Sequence, residues 1–571
     1  MRRIALALAA VLVASGSLVY ALIESARLDG AVDAVLGDLR AGSGLLIEAR
    51  GATSVSLLPA PHVRIEELAV ARPGEEPFLT ARAAVANLRV GALLAGRIET
   101  REIVLSAPEI ALDGVPFADV VETLRWSARS SEGTTSIRIM DGSLVWGGRR
   151  AENVTAGVAW AGPGAPLTSS GSGVFSGKPV EAVFHLADPG AFARGERTPA
   201  KARFEGGGAR MTFDGVAEGA SAPQFRGAVA LSATSLRDAL RWLDAPAPRA
   251  SSPLSDFRLA GHASLDRGGL SVSDAELDLD GGSFVGAGRV TAPGGRLTIE
   301  ANLDAETLDL KPLARGLAPP VRRNGEWSVA PIDLSPLAGF DLDLRLSAEA
   351  VLMDKLTLGP TAATLTVAKG GLDLGVGEAL AYGGTLRGRL TLQPDVAGAR
   401  VAIQGSSSGV RLEKALKHFF DSGPPLSGAL SSEAAVQGGG RSVAEIVGTL
   451  SGRSSARLTD GAIERMQRSR TLSLIGIPAR MEVSKADAEV VIEGGVARTE
   501  RLSIVGPDAS FALSGEARLL DRRLDLVGVL RPAAGGWSAP VRVDGPFASP
   551  RLRANVSGSA PRQHHEANLQ R

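Results

Sequence analysis

The sequence predicts a mainly β chain, and three observations carry that expectation. Of its 571 residues, 69 are glycine, well above the roughly 7% usual in soluble proteins. Apolar and polar residues alternate one by one along many short stretches, and glycine-containing pairs punctuate them. Glycine inside a helix costs about 1 kcal/mol relative to alanine, whereas turns use its freedom at positive φ. The excess therefore belongs to many strands joined by many turns. A chain this long exceeds one ordinary core, so tandem β units or an extended array are expected, with a few short helices.

The first element is of another kind. Arg2 and Arg3 precede an uncharged run from Ile4 to Ile23, in which Ile4, Leu8, Leu12, Leu18 and Ile23 mark out the apolar length. At 1.5 Å per helical residue the run covers about 30 Å, the hydrocarbon thickness of a bilayer. Residues 1–25 are therefore expected to form one transmembrane helix. Its N-terminus is expected in the cytoplasm, by the positive-inside bias, with the body across the membrane. A cleaved signal peptide is the alternative, since Val19-Tyr20-Ala21 offers a small-residue site, although such apolar cores are usually shorter. Both readings export the body. No later apolar run is long enough to span a membrane.

Alternation then recurs through the body. Phe340, Leu342, Leu344 and Leu346 interleave with Asp341, Asp343 and Arg345, which puts the apolar set on one face of a pleated strand. The same period of two appears at 277–279, 297–303, 386–392, 524–529 and 541–543. The pairs Asp141-Gly142, Gly268-Gly269, Gly281-Gly282, Gly370-Gly371, Gly383-Gly384, Asp460-Gly461, Gly494-Gly495 and Gly535-Gly536 are hairpin signals.

Helical spacing is confined to short stretches. Leu412, Ala415, Leu416, Phe419 and Phe420 share one face and end at Gly423-Pro424-Pro425; Leu236, Leu240 and Leu243 share another, and 28–39 predicts a third helix. Each is expected to cap or cover a sheet. Proline-rich joints are expected at 245–253 and 317–336. The division that follows is an anchor at 1–25, an N-terminal β region at 26–130, a middle β-rich region at 131–335, a C-terminal β region at 336–556 and a disordered tail at 557–571.

Composition excludes several functions. Lys plus Arg and Asp plus Glu number 62 each, so no polyanionic partner is called for, and 4% aromatics would supply few base-stacking platforms. Nucleic acid is not expected as a partner. The absence of cysteine removes disulfides, thiolate metal sites and cysteine nucleophiles. Gly405-Ser406-Ser407-Ser408-Gly409 fits the G-x-S-x-G nucleophile pattern, between a strand and a helix, and leaves an exported serine hydrolase as the third-ranked reading. Its only nearby histidine is His418; His564 and His565 lie in the tail. Gly177-Lys178 lacks the other residues of a phosphate loop. The six histidines form no helical metal pair, and Asp278 and Asp280 alternate as on a solvated strand. No catalytic residue, cofactor or metal site is expected.

One stretch carries a family resemblance. Leu380-Ala381-Tyr382-Gly383-Gly384-Thr385-Leu386-Arg387-Gly388-Arg389-Leu390 is followed by a strand at 401–404, the short helix at Leu412, then Pro425-Leu426-Ser427-Gly428 and Val436-Gln437-Gly438-Gly439-Gly440. The residues 443–450 and Leu458-Thr459-Asp460-Gly461-Ala462-Ile463 complete the succession. In order and spacing it resembles the C-terminal region of the AsmA family, related to the larger TamB and YhdP proteins. Ser56-Leu57-Leu58-Pro59, 63–68, 90–98 and 107–112 look like that family's N-terminal strand series, and 543–552 resembles its terminal strand.

The resemblance implies an elongated, curved antiparallel β-sheet, as a groove or half-barrel, on a protein anchored in the inner membrane with its body in the periplasm. It implies a role in outer-envelope biogenesis or lipid homeostasis, with phospholipid acyl chains as partners along an apolar groove. Leu342, Leu344, Leu346, Leu390, Leu392, Leu524 and Leu526 are the candidate groove residues. Alternation alone does not distinguish such a groove from closed sandwich cores. The alternative function is a non-lipid assembly factor acting on outer-membrane or envelope proteins by protein contacts.

Overall fold

The computed structural model describes Gly37 and residues 45–554, apart from 57, 96–98, 115–134, 163, 220–221, 245–254, 312–318, 323–324, 354–355, 397, 420–425, 465–466, 469–479, 534–536 and 548. The expected anchor with Ile4, Leu8, Leu12, Leu18 and Ile23, the joint at 245–253, the pair Gly535-Gly536 and the tail 557–571 lie outside the described residues. So does the helix expected over 28–39, except for Gly37, which is helical. Among the described residues no helix is long and apolar enough to cross a membrane. The chain forms two compact units, Met1–Ala245 with Leu254–Leu277, and Pro246–Pro253 with Asp278–Arg571.

The first unit begins with Leu46–Ala49 and Thr53–Ser56, which pair side by side with the two halves of His62–Ala71. Leu79–Leu88 and Thr100–Ala111 continue antiparallel. From Thr135–Trp146 to Phe257–Asp266, each strand pairs antiparallel with the next. Alternation is regular here. In Ala209–Glu218, Met211 and Phe213 are half-buried while Arg210, Thr212 and Asp214 are exposed.

The second unit continues the pattern from Gly282–Thr291 and Leu297–Asp309 through Phe340–Leu352, Thr361–Ala368, Gly371–Ala381, Gly384–Asp395, Gly398–Arg411, Leu426–Gly440 and Ser451–Glu464. Arg480–Glu493, Val496–Val505, Ala509–Arg518, Arg523–Pro532, Ala539–Pro546 and Arg551–Ala554 complete it. The two-residue strand Gln467–Arg468, just after Ser451–Glu464, pairs with Arg551–Ala554. The C-terminal end of the sheet is thereby rolled back on itself. All the alternating stretches read from the sequence in this unit are strands.

Four expectations need correction. The sheet is not wholly antiparallel: Thr100–Ala111 pairs parallel with Thr135–Trp146, Leu297–Asp309 with Phe340–Leu352, and Gln467–Arg468 with Arg551–Ala554. In the first two cases the long connections at 112–134 and 310–339 carry the chain from the end of one strand back to beside its start, as parallel pairing requires. Asp141-Gly142 and Asp460-Gly461 are not hairpins. Each aspartate has positive φ (59° and 48°) inside one strand, where the pairing register with the preceding or following strand breaks into a bulge. Val90–Leu94, expected among strands, is a turn of helix. The terminal stretch 543–552 is two paired strands, not one.

True hairpins do form at Gly370-Gly371 and Gly383-Gly384. In each, the first glycine is the second turn residue, and Lys369-Gly370 (φ 52° and 77°) and Tyr382-Gly383 (φ 52° and 83°) both have the doubly positive φ of a type I′ turn.

Short helices cap strand ends. The expected short helix forms over Leu236–Trp242, and Ser235 caps it, accepting the Asp238 N–H at 3.2 Å. Asp188 and Ser442 do the same for Pro189–Arg194 and Val443–Gly448, each cap contributing about 1 kcal/mol. Trp242 lies against Gly206 and Gly207, meets Phe175 edge-on, stacks near Phe204, and donates its indole N–H to the Phe175 carbonyl at 2.8 Å.

Candidate functional site

The parallel and antiparallel registers of the second unit align its apolar positions into rows that cross the strands. Leu344 faces Ala301 on one side and Leu365 on the other; Leu365 faces Leu374, Leu374 faces Leu390, Leu390 faces Ile403, and Ile403 faces Val436. A second row runs Ile299, Leu342, Val367, Leu372, Leu392, Val401. Leu346 lies between Leu303 and Ala363 in a third. From Leu297–Asp309 to Leu426–Gly440 the first row crosses seven strands. At about 4.8 Å per strand this is about 29 Å of apolar surface.

Most leucines of this stripe are only half-buried: Leu342, Leu344, Leu346, Leu390 and Leu392 all keep part of their surface open. Ile403 is 44% exposed. The opposite face carries charge. Arg389 pairs with Asp373 at 2.8 Å, Arg387 with Glu378 at 3.0 Å and Arg457 with Asp487 at 2.7 Å. Hydrogen bonds from Lys485 and Arg457 hold the Asp487 carboxyl below its ordinary range.

Further along, the environment changes. Leu458, Met481, Val483, Phe511, Leu513, Leu530, Val541 and Leu552 form a closed core where the sheet rolls back, and Leu530 is fully buried. Leu524 and Leu526 are half-buried and pack against this core. The seven candidate residues therefore divide. Five lie on one open stripe, and Leu524 and Leu526 belong to the margin of the rolled end.

Between stripe and core lies a cavity of about 300 Å3, walled almost wholly by apolar atoms of Leu412, Leu426, Leu430, Leu458, Leu502 and Ile504 and their neighbours. Leu412 reaches it from the helix Leu412–Phe419. That helix is pinned by Glu413, whose carboxylate accepts from the Gly428 N–H at 3.2 Å and Arg411 Nε at 2.9 Å. Burial works to raise the Glu413 carboxyl, but the bonds from its own N–H, Gly428 and Arg411 outweigh it, so its pKa is lowered. These cavity residues were not singled out from the sequence as a set. Arg501-Leu502-Ser503-Ile504 does alternate, but only the pairing register places Ile504 in one row with Ala486, Leu458 and Leu430.

The nucleophile pattern does not form an elbow. Gly405 to Gly409 lie within the continuous strand Gly398–Arg411, and the Ser407 hydroxyl pairs with that of Ser432 at 2.9 Å on the facing strand. A strand interior lacks the sharp turn that exposes such a serine. The side chain of His418 and the residues His564 and His565 lie outside the described set. Among the described residues no group of three or more His, Cys, Asp or Glu is placed to hold a metal.

A large sheet with charge on one face and a half-open apolar stripe on the other defines a class of protein organised around a surface. Residues 321–477 match the model of the AsmA family, so the chain carries an AsmA-family region. That region holds most of the stripe and the resemblance seen from 380 onward; the resemblances at 56–112 and 543–552 lie outside it. No curated protein and no solved structure matches the chain.

Proposed function

We propose that this is an envelope protein, tethered to the inner membrane with its body in the periplasm, that binds or guides phospholipid acyl chains along the stripe through Leu342, Leu344, Leu346, Leu390 and Leu392. The observation that carries the reading is the unbroken register from Ala301 to Val436, with side chains half-open along it. Apolar area left in water costs about 25 cal/mol per Å2, and each methylene taken out of water returns about 0.8 kcal/mol. A lipid tail satisfies such a surface without specific polar groups, consistent with a row of aliphatic side chains. Its length is close to a bilayer's hydrocarbon thickness of about 30 Å.

The test is photo-crosslinking in cells from a reactive residue at Leu344 or Leu390, with Asp343 and Arg389 on the opposite face as controls. Lipid adducts, found by mass analysis from the stripe positions alone, are the expected result. Equal labelling from both faces, or none from the stripe, overturns the proposal.

A further inference from the structure

The hairpin ends of the first unit hold a further pocket. Arg149–Trp160 and Lys178–Leu186 each begin straight after a tight turn, Gly147-Gly148 (φ 51° and 76°) and Ser176-Gly177 (φ 47° and 74°). Ala151 faces Phe175, and Phe175 faces Lys178. Lys178 therefore stands on the side of the sheet that carries Phe175, and Arg149, two residues ahead of Ala151, shares that side. The helix Leu236–Trp242 is fixed there by the Trp242 N–H on the Phe175 carbonyl at 2.8 Å. Asp238, Arg241 and Trp242, at i, i+3 and i+4 on one helix face, border the same space.

The pocket measures about 650 Å3, and charge gathers in it unevenly. Arg149, Arg150, Lys178 and Arg241 line it against only Asp238 and Asp244. Arg241 takes Asp238 at 2.8 Å, and Arg150 turns to Glu109, outside the lining, at 3.2 Å. Asp244 is 94% exposed and 3.9 Å from Arg149, a contact worth little in water. Lys178 has no ion-pair partner among the described residues. The neighbouring strands are different. Every cation of Arg197–Gly206 and Ala209–Glu218 has a carboxylate, as Lys201 has Asp214 at 2.8 Å and Arg210 has Glu205 at 3.0 Å. Unmatched positive charge thus collects at the pocket and not along the sheet.

We infer that this pocket binds a phosphate ester, with the phosphate between Arg149 and Lys178. A guanidinium fork and an ammonium suit phosphate oxygens, and Ser176 adds a hydroxyl to the lining. The volume falls in the range of about 300–1,000 Å3 usual for small-molecule sites, so it has room for an esterified group beside the phosphate. A free phosphorylated molecule and a phospholipid head both offer that chemistry. The site uses none of the stripe residues and does not rest on the lipid reading.

The experiment is calorimetric titration of the full chain, held in neutral detergent, with glycerol 3-phosphate, inorganic phosphate and dihexanoyl phosphatidylglycerol. Glycerol 3-phosphate is expected to bind, and less tightly as salt is added. R149Q and K178Q should each weaken it by about tenfold, the scale of one charge-assisted hydrogen bond. D244N, which removes a carboxylate from the lining, should tighten it, a gain that misfolding cannot produce. K201Q, whose ammonium is matched outside this pocket, should leave it unchanged. Tighter binding of the dihexanoyl lipid than of glycerol 3-phosphate, weakened in K178Q, assigns a phospholipid head; binding no tighter assigns a free phosphate ester.

Absence of binding by both esters at low salt overturns the site. So does binding unchanged in R149Q and K178Q, weakened in D244N, or reduced as much in K201Q. Inorganic phosphate binding as tightly as glycerol 3-phosphate overturns the ester and leaves an adventitious ion only. Lipid adducts at Leu344 are read separately, so failure of the stripe and failure of this pocket are told apart.

Discussion

Arg296 holds Asp341 with both arms of its guanidinium fork, Nε and Nη2 each 2.8 Å from a different carboxylate oxygen. The same side chain donates to the Ala338 and Phe340 carbonyls at 2.7 and 3.1 Å. It stands immediately before Leu297–Asp309 and fastens the start of Phe340–Leu352, the parallel neighbour whose register aligns Leu303, Ala301 and Ile299 with Leu346, Leu344 and Leu342. One side chain thus sets where the stripe is continuous.

The hydrogen bond from Arg296 lowers the Asp341 carboxyl against the opposing effect of burial, with the Arg296 charge and the Lys369 N–H adding to it. A carboxylate depressed on folding stabilises fully above its unfolded value, near 3.9, and loses that contribution as pH falls through the lower folded value. Wild type is therefore expected to exceed D341N in urea midpoint by a constant margin from pH 5 to 8, and the margin should shrink below about pH 4. A margin unchanged at pH 3 contradicts the assignment.

The connection before Phe340–Leu352 is fastened along the turn ends of distant strands. Trp327 donates its indole N–H to the Leu519 carbonyl at 2.9 Å beneath Arg522, whose guanidinium carbon is 4.6 Å from the ring centroid. Ala444 N–H reaches the Ser328 carbonyl at 3.0 Å, and Ile332 N–H the Arg441 carbonyl at 2.8 Å. W327A should speed amide exchange at 519–522 and 441–446 by about tenfold or more, from a lost hydrogen bond and a cation–π contact worth about 1–2.5 kcal/mol together. R522A should show a smaller change of the same sign.

Open stripe and closed core should answer truncation differently. L530A removes a fully buried side chain and is expected to cost about 2–5 kcal/mol. L344A, on a half-open face, should cost less than about 1.5 kcal/mol, because less area is lost and solvent fills the gap. Equal losses in chemical denaturation would mean that the stripe is packed as a core.

Gly207 lies directly beneath Trp242 with φ of +62°, and a Cβ there would stand 2.3 Å from the indole ring. G207A should displace Trp242, cost about 2–4 kcal/mol from strain and overpacking together, and shift the tryptophan fluorescence to the red.

Much of this architecture was legible in the chain. The alternation from Phe340 to Leu346 and from 386 to 392 reads directly as strands with one apolar face, since side-chain direction repeats every two residues. The spacing of Leu236, Leu240 and Leu243 foretold a short helix, but not its cap at Ser235. Asp141-Gly142 and Asp460-Gly461 misled, because an Asp-Gly pair serves a bulge as well as a turn, and only the pairing partner decides. The split of Leu524 and Leu526 from the other five was also hidden. All seven alternate in the same way, and their differing cover comes from the roll set by Gln467–Arg468, a pairing with no local signature.

That pairing has a consequence for assembly. Arg551–Ala554 bonds to Ala539–Pro546 on one side and Gln467–Arg468 on the other, so its ladder is already engaged along both flanks. A foreign extended segment finds little unpaired backbone there to template on, which blunts end-to-end association at that point. A longer variant of this unit would have to gain hairpins in its interior, ahead of the seam, where each inserted pair would extend the greasy rows by about 10 Å.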